Sequence, residues 1–146
     1  MNWARFILAA VVGYVVLVAA GGLWHVEWFK GLYAVQLAKV ARPEPLLPGL
    51  AAAEGVRAVV FALLYAIAYR GGPPWWEGLR FGLLMGLLSA AGFGLTFAQQ
   101  NVASLTWLWM ETVFFVIQCG IVGVVIAYCY GRGEGTAQGG SPANAA

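Results

Sequence analysis

The chain has 146 residues, of which 62% are hydrophobic and only 10% are charged, and its formal net charge at pH 7 is +2. A soluble domain needs about 25% charged residues to cover its surface, so this composition excludes an ordinary soluble protein. The small net charge gives no reason to expect a nucleic-acid partner. We therefore expect an all-α integral membrane bundle of four transmembrane helices, with the lipid bilayer as its surroundings.

The first apolar segment, residues 6–25, is long enough to cross the roughly 30 Å apolar core of a bilayer. Residues 27–42 follow, and most of their charges fall on one side of a helical wheel. Trp28, Phe29 and Tyr33 within this stretch are typical of the headgroup region of a membrane. We therefore predict a short interfacial helix between the first and second spans.

Three further apolar segments complete the predicted bundle. They cover residues 50–69, 79–98 and 102–130. Residues 70–74 are rich in glycine and proline, which predicts a turn between the second and third spans. Residues 131–146 are rich in glycine and alanine and cannot bury a core, so we expect a flexible tail. Residues 1–130 are then a single four-helix transmembrane domain.

The distribution of positive charges bears on orientation. With four spans, both termini lie on the same side of the membrane as the second loop. That side carries Arg5, Arg70, Arg80 and Arg132, and the opposite side carries Lys30, Lys39, Arg42 and Arg57. The count is balanced under the positive-inside rule. However, the third loop has no charge and Glu54 offsets Arg57, and both points favour cytoplasmic termini.

Small residues recur at every fourth position of the third span. The series is Gly78, Gly82, Gly86, Ala90 and Gly94. Helices in lipid associate through close packing at small residues, so we expect the third span to be the central packing helix. Its small-residue face would meet another helix of this chain, a second copy in a homo-oligomer, or a different membrane partner. The sequence leaves these alternatives open.

Polar side chains inside the spans are candidates for a ligand-binding site, because such groups are costly in lipid and usually face the bundle interior. The candidates are Trp24, His25, Glu27, Glu54, Arg57, Glu111 and Gln118. Glu111 lies well inside the fourth span, and Gln118 follows two turns later on the same face. Because consecutive spans run in opposite directions, we expect these residues in one half of the bundle. They form either a polar pocket that binds a ligand or relays protons, or a set of mutually satisfied buried groups.

No catalytic constellation accompanies these residues. The single histidine excludes a haem held by two histidines, and no serine or cysteine has an evident base beside it. A zinc site needs three or four ligands, which the polar residues could only just supply. Cys119 and Cys129 are ten residues apart on one predicted helix and are too distant to form a disulfide with each other. We expect no catalytic residue, no metal and no cofactor.

The end of the first span has a recognisable order of residues: Gly21, Gly22, Leu23, Trp24, His25, Val26, Glu27, Trp28 and Phe29, with Tyr33 four residues later. This order resembles small four-span bacterial membrane proteins of unknown function, whose first helix ends in a similar tryptophan-containing motif followed by a short helix. The resemblance covers about residues 1–35 and the four-span plan. It directs attention to Trp24, His25, Phe29 and Tyr33, and it implies no activity.

Taken together, the sequence favours a multi-pass protein of the bacterial inner membrane. The expected role is that of a structural or accessory subunit without enzymatic activity. The alternative is a small transporter or ligand-binding membrane module that uses a polar pocket around Glu111 and His25. A third possibility is an enzyme that acts on a lipid or a quinone.

Overall fold

The computed structural model describes residues 2–38, 44, 46–99 and 105–131, and within these residues the chain is helical and has no strand. The helices are α1 (Trp3–Gly22), α2 (Lys30–Leu37), α3 (Leu47–Ala68), α4 (Pro74–Gln99) and α5 (Leu105–Tyr130), and a π-helical turn, Leu23–Trp28, joins α1 to α2. Four helices are long and apolar enough to cross a membrane, so the prediction of four long apolar helices is confirmed. Most of the predicted tail, residues 132–146, lies outside the described residues.

The helix ends follow from local sequence. Asn2 caps α1, because its side-chain oxygen accepts a hydrogen bond from the backbone N–H of Arg5 at 3.2 Å. Pro48 stands in the first turn of α3, where a missing N–H costs no helical hydrogen bond. The turn between α3 and α4 contains Gly71 at φ +88°, a conformation that favours glycine. The Tyr69 hydroxyl donates to the carbonyl of Gly72 at 3.2 Å and closes this turn.

The central helix is α5, which packs against α1, α3 and α4. Its buried residues Val122 and Ile126 join a core that includes Leu17 of α1 and Phe61 of α3. The prediction that the third span would be central is wrong. The reason is that α4 packs mainly against α5, through the face that carries Gly78, Gly82 and Gly86.

The small-residue face of α4 meets α5 of the same chain. A Cβ atom added to Gly78 would lie 2.5 Å from the carbonyl oxygen of Gly123, and one added to Gly86 would lie 2.7 Å from Cα of Val116. Gly82 faces the carbonyl oxygen of Cys119 at still closer range. Two helices approach this closely only where side chains are absent. At the far end of the series, Gly94 has Leu108 as its nearest neighbour, at 4.0 Å.

The outer faces of the long helices are apolar. On α1, the side chains of Ile7, Val11, Val15 and Val18 are 45–58% exposed. On α4, the side chains of Leu84, Leu87, Leu88 and Leu95 are 57–69% exposed. Contiguous apolar surface of this kind is unusual on a soluble monomer and is typical of a surface that faces lipid or a protein partner.

The prediction of an interfacial helix over residues 27–42 is not borne out. Residues up to Trp28 extend the first helix through the π-helical turn, and only Lys30–Leu37 forms a separate helix. Within that helix Tyr33 is buried, because its hydroxyl donates a hydrogen bond to Glu111 of α5. The segment is thus fastened to the bundle by a side chain that was expected in the headgroup region. Residues 39–43 lie outside the described part of the chain.

Candidate functional site

The candidate site begins at the π-helical turn. The backbone N–H of Phe29 donates to the carbonyl of Trp24 at 3.0 Å, five residues back. Such wide turns are rare and occur frequently at functional sites. The rings of Trp24 and His25 both face α5, with centroids 5.4 Å and 4.7 Å from the ring of Phe114. The π-helical turn therefore presents two adjacent side chains of the first span to the central helix.

His25 and Glu111 form the centre of the site. The His25 Nε2 atom lies 3.3 Å from Oε1 of Glu111, and its Nδ1 atom lies 2.9 Å from the carbonyl oxygen of Gly21. The Glu111 residue is 4% exposed, whereas the side chain of His25 is 33% exposed. The pair thus has one deeply buried member and one member that reaches the protein surface.

The Gly21 carbonyl determines the protonation of the His25 ring. A carbonyl oxygen only accepts hydrogen bonds, so Nδ1 of His25 carries a hydrogen. The second ring nitrogen, Nε2, then shares one proton with the carboxylate of Glu111. The pair is either an imidazolium beside a carboxylate or a neutral imidazole beside a carboxylic acid, and its net charge is zero in both forms.

Tyr33 joins the pair from α2. Its hydroxyl donates to Oε1 of Glu111, the same oxygen that faces His25. The hydroxyl in turn accepts a hydrogen bond from Nε1–H of Trp24 at 3.1 Å. Burial of Tyr33, reinforced by its hydrogen bond to Glu111, raises the pKa of the hydroxyl well above its ordinary value. Tyr33 is therefore a permanent donor to Glu111 at physiological pH.

A second polar group lies around Arg57 of α3. Its Nη1 atom donates to both carboxylate oxygens of Glu54, at 2.9 Å and 3.1 Å. Its Nη2 atom donates to Oε1 of Gln118 at 3.1 Å, and Nε2 of Gln118 donates to the carbonyl of Leu17 at 3.0 Å. This group therefore links α1, α3 and α5 through one guanidinium and one amide.

Aromatic rings complete the surroundings of Arg57. The guanidinium carbon lies 5.8 Å from the ring centroid of Phe61 and 5.7 Å from that of Phe115, within the range of cation–π attraction. The carboxylate of Glu54 neutralises the guanidinium, and the two rings lie against it. Such an environment lowers the cost of a charge between apolar helices.

The structure thus places six of the predicted site residues in two groups. Trp24, His25 and Glu111 lie in the first group, and Glu54, Arg57 and Gln118 lie in the second. Glu27 belongs to neither, because its side chain is exposed and has no hydrogen bond or ion pair with the described residues. The two groups share α5, on which Glu111 and Gln118 are seven residues apart.

Several partners could not be read from the sequence as members of the site. The carbonyls of Gly21 and Leu17 are invisible to any pattern of side chains. Tyr33 was noted only as an interfacial aromatic residue and as part of the motif after Trp24-His25. Its contact with Glu111 depends on the break at Phe29, where the first helix ends and α2 begins.

Two cavities formed by the described residues are separate from the charged side chains of these groups. An open groove of about 410 Å³ is lined by Trp24, Phe29, Thr106, Trp109, Met110 and Val113. Another, of about 290 Å³, is lined by Asn2, Tyr65, Ala66, Ile67, Tyr69 and Tyr130. Neither is lined by His25, Glu111 or Arg57. Among the described residues, no cluster of three histidine, cysteine or acidic side chains is arranged to hold a metal ion.

The chain matches no protein-family model, no curated protein and no solved structure. The class of molecule is therefore defined by its own fold and site. It is a helical protein with four long apolar helices, in which two groups of hydrogen-bonded polar side chains each include one residue of the central helix.

Proposed function

We propose that this chain is a multi-pass protein of the bacterial inner membrane, with cytoplasmic termini, that acts as a structural or accessory subunit. The observation that carries the proposal is the distribution of polarity. The long helices turn apolar side chains outward, and the polar side chains of Arg57, Glu111 and Gln118 hydrogen-bond to other side chains inside the bundle. A bilayer is the solvent that suits such a surface.

The burial of the polar residues supports a structural role for them. Glu111 is 4% exposed and Gln118 is 1% exposed, and both make hydrogen bonds to helices other than their own. In lipid, a polar group of this kind is stabilised only by partners within the protein. These residues then fix how α1, α2 and α3 attach to α5.

The proposed partner is a second copy of the chain or another membrane subunit. Gly78, Gly82 and Gly86 are occupied by α5, so a partner would contact other faces. The outer face of α4, with its exposed leucines, is one such surface.

Membrane insertion is tested by extraction of isolated membranes with alkaline carbonate. An inserted protein stays in the pellet, whereas release into the supernatant would overturn the proposal.

Orientation is tested with reporter fusions at either end of the chain, using green fluorescent protein and alkaline phosphatase. Fluorescence without phosphatase activity is expected for cytoplasmic termini, and the opposite pattern would reverse the orientation.

The subunit role is tested by native mass spectrometry of the chain extracted in lipid nanodiscs. The expected result is a defined assembly, with either two or more copies or a second membrane protein in fixed ratio. A monomer without a co-purifying protein would count against the role. Loss of that assembly in Leu84→Ala/Leu88→Ala, with retention in Val11→Ala/Val15→Ala, would assign the contact to α4.

A second candidate function is ligand binding or transport at His25 and Glu111. One observation favours it, namely that the rare π-helical turn places a partly exposed histidine against a buried carboxylate. This function predicts that Glu111→Gln or His25→Ala abolishes binding or uptake while expression and folding persist. Glu27→Gln is the matched control, because Glu27 is an exposed carboxylate of the same turn. Loss of folding in the first two variants would instead favour the structural role.

A further inference from the structure

Residues 23–37, the π-helical turn with α2, form a segment that we term the strap. Its α2 part packs mainly against the π-helical turn, and Tyr33 is the one buried residue of that helix. Tyr33 reaches the central helix through its hydrogen bond to Glu111. His25, also in the strap, approaches the same carboxylate oxygen. The hydrogen bonds of the strap to α5 therefore converge on a single atom, Oε1 of Glu111, beside the ring contacts of Trp24 and His25 with Phe114.

The arrangement around that oxygen requires one proton. Nδ1 of His25 is committed as a donor to the Gly21 carbonyl, so the contact at 3.3 Å between Nε2 and Oε1 of Glu111 needs a hydrogen between them. If that proton is absent, a nitrogen lone pair faces a carboxylate oxygen. The carboxylate would then be buried without a cation beside it, which is costly in a poorly solvated site.

We propose that His25, Glu111 and Tyr33 form a proton-binding site, and that the bound proton holds the strap against α5. With the proton bound, Oε1 of Glu111 accepts from Nε2–H of His25 and from the Tyr33 hydroxyl. When the proton leaves through the exposed edge of His25, the strap opens and water hydrates the carboxylate. The proposal goes beyond the structural role and does not depend on any partner subunit.

The other described charged groups near the site make no hydrogen bond to the oxygen of Glu111 that faces this proton. On α3, Glu54 acts electrostatically on His25 but is paired with Arg57. On the strap itself, Glu27 and Lys30 are exposed. On α1, the Gly21 carbonyl is the polar contact, and on α5 the next polar side chain beyond Glu111 that faces the interior is the neutral Gln118. Tyr33 remains protonated, because its pKa is raised.

The direction of the pH effect follows from linkage. The closed strap binds one proton more than the open strap, so raising the pH favours opening. The closing equilibrium weakens by at most about tenfold per pH unit over the range in which the proton is released. Glu111→Gln removes this requirement, because an amide nitrogen in the position of Oε1 donates one hydrogen to an unprotonated Nε2 of His25 and the other to the hydroxyl oxygen of Tyr33.

The first test uses the fact that the chain has one histidine. Isotope-labelled histidine in the full chain, reconstituted in phospholipid nanodiscs, gives one imidazole to follow by NMR over about pH 5 to 9. The expected result is an Nδ1 that stays protonated while Nε2 loses its proton as the pH rises. An Nε2–H tautomer with a bare Nδ1, or a ring that does not titrate, would overturn the proposal.

The second test follows strap opening by hydrogen exchange of peptides covering residues 30–37, expressed as protection relative to intrinsic rates at each pH. In the wild type and in the control Glu27→Gln, protection should fall by up to about tenfold per pH unit. In Tyr33→Phe it should be low throughout, and in Glu111→Gln it should be high and independent of pH. Constant protection in the wild type, or the same pH dependence in Glu111→Gln, refutes the proposal. If Glu111→Gln does not fold, the wild-type titration and Tyr33→Phe decide the question.

Discussion

Substitution of Gly82 by alanine tests the close packing of α4 on α5. The added Cβ atom would lie 2.8 Å from Cα of Gly120 and 2.9 Å from the carbonyl carbon of Cys119, and it would overlap the carbonyl oxygen. Carbon atoms in good contact are about 3.5–4.0 Å apart, so the two backbones must separate locally by about 1 Å. These neighbours are backbone atoms, which cannot rotate away.

Overpacking of this kind costs about 1–3 kcal/mol, and we expect a value near the upper end for Gly82→Ala. Gly92→Ala is the matched control, because a Cβ atom at Gly92 meets nothing within 4 Å. Both changes gain the helix propensity of alanine over glycine, about 1 kcal/mol. The difference between the two variants therefore isolates the steric term.

The assay is unfolding of the purified chain in mixed micelles with increasing sodium dodecyl sulfate, followed by circular dichroism and tryptophan fluorescence. We expect Gly82→Ala to unfold at a clearly lower detergent fraction than the wild type, and Gly92→Ala to unfold at the same or a higher fraction. Equal midpoints for the two variants would show that the glycines of α4 do not determine its contact with α5.

Two further predictions concern the polar groups. Arg57→Met leaves the carboxylate of Glu54 without a cation and should cost about 3–5 kcal/mol in the same unfolding assay. The double variant Arg57→Met/Glu54→Met should recover much of this loss, and additive losses in a double-mutant cycle would refute the pairing. Tyr33 has a raised folded-state pKa, so its contribution to stability is present below the ordinary tyrosine pKa and is lost as the pH rises through the higher folded value. The difference in alkaline absorbance titration between wild type and Tyr33→Phe should show Tyr33 ionising well above the ordinary tyrosine pKa of about 10, and ionisation near pH 10 would contradict its burial against Glu111.

The sequence was sufficient for the four long helices, because long apolar runs can satisfy their backbone groups in lipid only as helices. The spacing of Gly78, Gly82 and Gly86 also predicted a closely packed face. It could not identify the helix that covers this face, since the spacing describes one partner only. Helix α5 is central because residues such as Gln118 and Ile126 contact different neighbouring helices. The sequence does not show which helix each of these residues contacts.

The candidate site was predictable only in part, because the sequence shows which polar residues need a partner but not all of the partners they find. Glu111 stood out because a carboxylate deep in an apolar span needs a partner, and the alternating direction of the spans predicted His25 in the same half of the bundle. The choice of Tyr33 as the additional donor depends on a π-helical turn, which has no reliable sequence signature. Glu27 was included because it is charged and close in sequence to His25, but the turn directs it outward.

The contacts of Gln118 have a consequence for assembly of the chain in a membrane. Helices α4 and α5 are neighbours in sequence and can pair through their glycines without α1 and α3 docked against them. In such a hairpin, Gln118 lacks the carbonyl of Leu17 and the guanidinium of Arg57, and its amide is exposed to lipid. Only a correctly docked α1 and α3 remove that penalty. The amide therefore ties the stability of the α4–α5 pair to the docking of α1 and α3.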